Sequence, residues 1–152
     1  MKIYNIKFKA ILLGILILVF IILISSLLFS STETIIMTSE NYTEILKDIH
    51  DKPYDYENRK IEMIGYVFRT TDFNKNQFVI ARDMLINESE SRIVGFLCEY
   101  EKANEIENNE WIKGEGKIYI GDYHGAMPIV KINKVTQSEV PNQIWVYPPK
   151  TK

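Results

Sequence analysis

Charged side chains set inside apolar runs are where this sequence first offers chemistry, and Arg82 and Asp83 are such a pair, in the middle of QFVIARDML (residues 77–85). A buried charge without a partner is costly. Arg82 is therefore expected either to pair with Asp72, Glu99 or Asp83 and fix the register of its strand, or to recognise a ligand. Arg69 ends the preceding apolar run, where a solvated strand end is the simpler reading. Asp122 and His124 in GDYHGA (121–126), with Glu88 and Glu90 in NESES (87–91), hold carboxylates and an imidazole that a hard cation or zinc accepts. No recognised ligand spacing links them, so no metal site is expected, and Gly121, Asp122 and Gly125 suit the backbone of a hairpin turn. The candidate binding residues are thus Arg69, Asp72, Arg82, Glu88 and His124.

Catalysis has few parts to work with. The chain contains no HExxH, no nucleophile elbow and no phosphate-binding glycine loop, and it has one cysteine and two histidines. No catalytic residue, cofactor or enzymatic activity is expected. Cys98 reads as a small buried hydrophobe. His50, at the end of a helical pattern, complements the helix dipole. Tyr66, Phe68, Phe73, Phe78, Tyr119 and Tyr123 could line a ligand face, but no basic residues interleave them as a nucleic-acid groove requires, and core packing is the better reading.

The elements that hold these residues follow from periodicity. In SENYTEILKDIHDKP, Tyr42, Ile45, Leu46 and Ile49 form one apolar stripe at helical spacing. This predicts an amphipathic helix over 39–51, with Ser39 or Asn41 as N-cap, an Asn41–Glu44 capping box, and Pro53 as terminator. From Lys60 the period becomes two, and KIEMIGYVFR, QFVIARDML, RIVGFLCEY, WIKGEGKIYI and MPIVKINKV read as five strands. EKANEIENN between the third and fourth leaves room for a short helix or a helical turn. With glycines at 65, 95, 114 and 116 to let strands bend, the order predicts a mainly β, OB-like five-stranded small barrel over 58–140; an SH3-like barrel is the alternative. The segment 141–152 is expected to pack extended against it.

The first thirty residues set the location. AILLGILILVFIILISSLLFS, from Ala10 to Ser30, carries no charge and is long enough as a helix, roughly 31 Å, to cross a bilayer. A transmembrane helix is expected over 10–31, after a cytoplasmic 1–9 segment and before a linker over 32–38. Lys2, Lys7 and Lys9 precede the span and glutamates follow it, which places the N-terminus inside and the domain outside the cell membrane. A cleaved signal peptide is the competing reading, although its apolar region is usually shorter, about 7 to 15 residues. Three of the 18 Lys and Arg lie before residue 32, leaving 15 against all 20 Asp and Glu. That acidic balance does not suit phosphate neutralisation, and no nucleic-acid partner is expected; the bilayer itself is.

TTDFNKNQFVIARDMLIN, IVGFLCEY, EWIKGEGKI and PNQIWVYP together resemble the C-terminal domain of the DUF1980 family over Asn58 to Pro148. The resemblance implies a bacterial membrane protein working beside a multi-span permease. The family pattern of Asp-Phe and Gln-Phe-Val-Ile-Ala-Arg is kept in Asp72, Phe73 and Gln77 to Arg82. Its adjacent cysteines are not: Glu88 and Ser89 stand at about those positions, so thiol or soft-metal chemistry is absent here. The expected role is an accessory or interaction subunit of a permease, with an envelope sugar-, peptide- or metal-binding module as the alternative.

Overall fold

The computed structural model describes residues 13–21 and 33–150. Residues 13–21 are helical with exposed side chains. Among the described residues no helix is long and apolar enough to cross a membrane; most of the expected 10–31 span and the whole 1–9 segment lie outside them.

Glu33–Lys152 forms a compact unit by itself. It contains β1 (Ile35–Met37), α1 (Tyr42–Asp51), β2 (Lys60–Phe68), β3 (Gln77–Asn87), β4 (Glu90–Glu99), β5 (Trp111–Asp122) and β6 (Ala126–Gln137), with single 3-10 turns at Pro53–Tyr56 and Ala103–Glu105. The ring runs β2-β3-β4-β6-β5 and closes where β5 pairs antiparallel with β2, from Lys60↔Lys117 to Tyr66↔Trp111. The β4–β6 seam is parallel, Cys98↔Val130 and Glu99↔Lys131. This is a closed five-stranded barrel with the strand order of the OB arrangement.

Alternation decides which side chains fill it. Ile61, Met63 and Val67 of β2, Phe78 and Ile80 of β3, Phe96 and Cys98 of β4, and Ile112 and Ile118 of β5 are almost wholly buried in one cluster. Each aliphatic or aromatic side chain so placed contributes about 2 kcal/mol of transfer free energy. Tyr42 and Ile49 of α1 enter the same cluster. The Tyr42 hydroxyl, fully buried, donates to the Ile80 carbonyl at 2.9 Å, and burial raises its pKa.

Local structure departs from expectation in three places. The segment expected as a linker contains β1, which pairs parallel with β2 from Ile35↔Ile61 to Met37↔Met63. Asn41 precedes α1 but makes no cap bond; its side chain accepts from the Thr38 N–H at 2.7 Å and donates to the Ile36 carbonyl at 3.1 Å, so it braces the turn out of β1 and no capping box forms. The strands read as QFVIARDML and RIVGFLCEY run further than their apolar residues: Asn87 pairs with Glu90 and only Glu88 and Ser89 form the turn, where Asn87 Oδ1 accepts the Ser89 N–H at 3.0 Å. Between β4 and β5 the chain makes a helical turn, as the sequence allowed, in the form of one 3-10 turn, and Arg69 donates to the carbonyls of Ala103 and Ile106.

Candidate functional site

Arg82 lies where β3 parts from β2, whose ladder ends at Tyr66↔Ala81. Only 2% of its surface is exposed. None of the expected carboxylates meets it. Its guanidinium donates instead to the carbonyls of Gln143 (2.5 Å), Ile144 (3.0 Å) and Ile64 (3.4 Å) and to Ser39 Oγ (3.1 Å), and lies over the rings of Tyr42 and Trp111. Asp83 points the other way and accepts from the Tyr66 hydroxyl at 3.0 Å. Ser39 donates in turn to the Gln143 carbonyl at 3.2 Å. Burial lowers the guanidinium pKa, yet carbonyl dipoles and two ring faces solvate the cation. Held this way, the C-terminal segment lies along β3: Val146, fully buried, bridges Met84, and Thr43 Oγ1 donates to the Tyr147 carbonyl at 2.5 Å.

The second cluster forms at the barrel mouth, between the β2–β3 loop and the tip of the β5–β6 hairpin. Asp72 accepts from the hydroxyls of Thr70 and Tyr123, and His124 Nε2 lies 3.6 Å from the same carboxylate. Those two hydroxyls, Thr70 first, hold its pKa down at about 2. Tyr123 packs edge-on against Phe73 at 5.5 Å and against His124 at 4.5 Å. The hairpin tip turns back through His124 (φ 56°) and Gly125 (φ 130°), both in the left-handed region, and Asp122 Oδ1 accepts the Gly125 N–H at 3.2 Å. The carboxylate is spoken for by hydroxyls, so the cluster is a clasp between two loops.

A groove of about 590 Å³ opens beside it, lined by Asn74, Asn76, Glu99, Lys102, Lys131 and Asn133 among others. Glu99 is its fixed point. It accepts from Gln77 Nε2 at 3.1 Å and from the Tyr119 hydroxyl, whose pKa is raised chiefly by burial and then by that bond. Amides, a carboxylate and ammonium groups around a concavity match a polar ligand carrying both donors and acceptors. Among the described residues no group of three or more His, Cys, Asp or Glu could hold a metal.

The structure brings Asp72 and His124 together and leaves Arg69, Arg82 and Glu88 apart from them. Arg69 is no free strand end: besides the two carbonyls it donates to Asn108 Oδ1 at 2.7 Å and lies over Phe78 at 5.4 Å. Glu88 sits exposed in the two-residue turn. His50 stacks on Phe96 at 5.3 Å and its Nδ1 meets the Leu46 carbonyl at 2.8 Å. Gln77 and Lys131 escaped sequence reasoning. The outward register Gln77↔Glu99↔Lys131 across β3, β4 and β6 joins them, and that register is invisible to local periodicity.

Comparison with known proteins places these residues in a family. The profile described as DUF1980 C-terminal domain matches residues 26–148. UPF0703 protein YcgQ of Bacillus subtilis (strain 168) is 27% identical over 123 residues, covering 78% of this chain and 43% of the relative. A protein of Streptococcus mutans described as a candidate two-component membrane permease complex subunit is 25% identical over 114 residues, covering 73% of this chain and 42% of the relative. The chain thus spans less than half the length of these curated relatives. Among solved structures, a small single-stranded DNA-binding protein from Streptomyces coelicolor overlaps 54% of this chain and 94% of its own at 8% identity, with a TM-score of 0.34.

Proposed function

The chain belongs to the DUF1980 C-terminal domain family, and we propose that it acts as a single-pass, membrane-anchored extracytoplasmic module serving as an accessory or interaction subunit of a multi-span permease. The observation that carries this reading is the alignment, over most of the chain, with a relative described as a candidate subunit of a membrane permease complex. The uncharged run from Ala10 to Ser30 and the lysines before it support the anchor and its direction. A role in binding without catalysis agrees with the site chemistry: Arg82 and Arg69 are committed to carbonyl oxygens, and the Asp72 carboxylate to hydroxyls. With their donors occupied by acceptors of the chain itself, those two arginines are withdrawn from phosphate contact, which fits a partner other than nucleic acid.

Cross-linking of the full chain in intact membranes tests the proposal. A multi-span integral protein should be captured; repeated recovery of no integral partner overturns it. The groove around Glu99 supports a second reading, an envelope sugar or peptide as ligand. Thermal-shift screening with cell-wall saccharides and muropeptides separates the two, since a bound ligand raises Tm and an absent one does not.

A further inference from the structure

The barrel wall is stitched unevenly. β3 and β4 pair from Gln77↔Glu99 to Asn87↔Glu90, whereas β4 meets β6 only at Cys98 and Glu99. From Glu90 to Leu97 the other edge of β4 has no strand partner among the described residues.

Which backbone groups look outward there follows from the opposite side of the hairpin. The Leu85 N–H donates to the Val146 carbonyl and the Val146 N–H to the Asp83 carbonyl. Asp83 and Leu85 therefore aim their backbone groups at the C-terminal segment. Consecutive strand residues alternate, so Arg82 and Met84 aim at β4, where Val94 and Arg92 stand opposite. On β4 the alternation then turns the N–H and C=O groups of Ser91, Ile93 and Gly95 away from β3. None of those backbone groups finds a backbone partner among the described residues. A row of free donors and acceptors is a template for one more strand. The edge contains no proline, and the side chain at its middle, Ile93, is 48% exposed.

We propose that this edge is occupied by β4 of a second copy of the chain, running antiparallel about a two-fold axis at Ile93. In that register Ile93 faces Ile93 of the second copy and Ser91 faces Gly95. Every outward N–H and C=O is then bonded. The exposed isoleucines cover each other, and Arg92 lies across from Val94, so no like charges oppose. A two-fold centred on Ser91 leaves Gly95 unpaired, and one centred on Arg92 sets that cation against itself. Self-complementarity of this kind is what an isologous interface demands. The inference stands independently of the permease reading.

The test uses the full chain purified in mild detergent. Opposed residues of a hydrogen-bonded antiparallel pair have Cα atoms about 5.5 Å apart, within disulfide range. Ile93→Cys should form a covalent dimer on mild oxidation, while Ile86→Cys, on the same hairpin but off the axis, should not. Cys98 does not compete, since it is fully buried with its thiol pushed up to about 12. Ile93→Pro removes an outward N–H without removing a bond to β3, and should convert dimer to monomer in analytical ultracentrifugation with its circular dichroism unchanged. Should that variant misfold, Ile93→Lys places like charges across the axis and gives the same readout. A monomeric parent chain, equal cross-linking at both positions, an unaltered dimer in the Pro and Lys variants, or capture through Ile93→Cys of another polypeptide alone overturns the proposal.

Discussion

Arg82 Nη2 lies 2.5 Å from the carbonyl oxygen of Gln143, 61 positions away along the chain. The same guanidinium reaches Ser39, 43 positions away in the other direction. One side chain of β3 thus gathers the turn before α1 and the C-terminal segment at a single point. A hydrogen bond to a charged group contributes about 1.5–3 kcal/mol, and carbonyls stripped of their donor lose more than they would in water.

Arg82→Met is accordingly expected to lower unfolding stability by roughly 2–4 kcal/mol, with Arg82→Lys recovering only part of the loss because one ammonium cannot reach the same fork of acceptors. Urea unfolding measures the first effect. Limited proteolysis measures the second, since residues 141–150 should become cleavable before the barrel does. A segment that stays protected in Arg82→Met contradicts the stapling role.

The clasp at the barrel mouth makes a pH prediction with a definite sign. Asp72 has a folded pKa of about 2, below its ordinary value. Its contribution is therefore complete above the ordinary carboxylate range near pH 4 and disappears as the pH falls through about 2. A carboxyl-carbon NMR titration should show the Asp72 inflection near that value. Tyr123, whose phenol is raised first by its bond to Asp72, should ionise at lower pH in Asp72→Asn. An unshifted phenol in that variant shows that the two loops are not joined through this pair.

Gly65 and Gly114 both press on Ile80 or its neighbour, with different consequences. A Cβ at Gly65 would stand 2.4 Å from the Ala81 carbonyl oxygen, which is fixed in the β2–β3 ladder; at Gly114 it would stand 2.4 Å from Ile80 Cδ1, the end of a side chain. Gly65→Ala should cost about 3 kcal/mol and Gly114→Ala about 1 kcal/mol, because a rotamer yields more readily than a strand. Chemical denaturation of the two variants decides, and the reverse order refutes the argument.

β3, β4 and β6 are legible because they are β-rich apolar runs bounded by turn residues, and β2 and β5 because they alternate over eight or more residues, as in KIEMIGYVF with Ile61, Met63 and Val67 inward. The stripe of α1 was legible for the same reason at helical period. β1 was not: three residues are too few for any period to show, and its partner Ile61 is 26 positions downstream of Ile35. The candidate site was legible in residue type more than in arrangement. Asp72 and His124 are each conspicuous, but what joins them is the packing of the β5–β6 tip against the β2–β3 loop, a property of the folded chain. Arg82 was conspicuous as a charge in an apolar strand, while its acceptors are carbonyls, which every residue possesses and no sequence pattern marks.

Because Ser39 and Gln143 grip one guanidinium of β3, the turn after β1 and the C-terminal segment are tied to each other and to the barrel wall at the same point. Tension drawn between those two segments would reach the β1–β2 pairing and the Met84–Val146 bridge first, and the knot at Arg82 would take the load only after one of these had slipped.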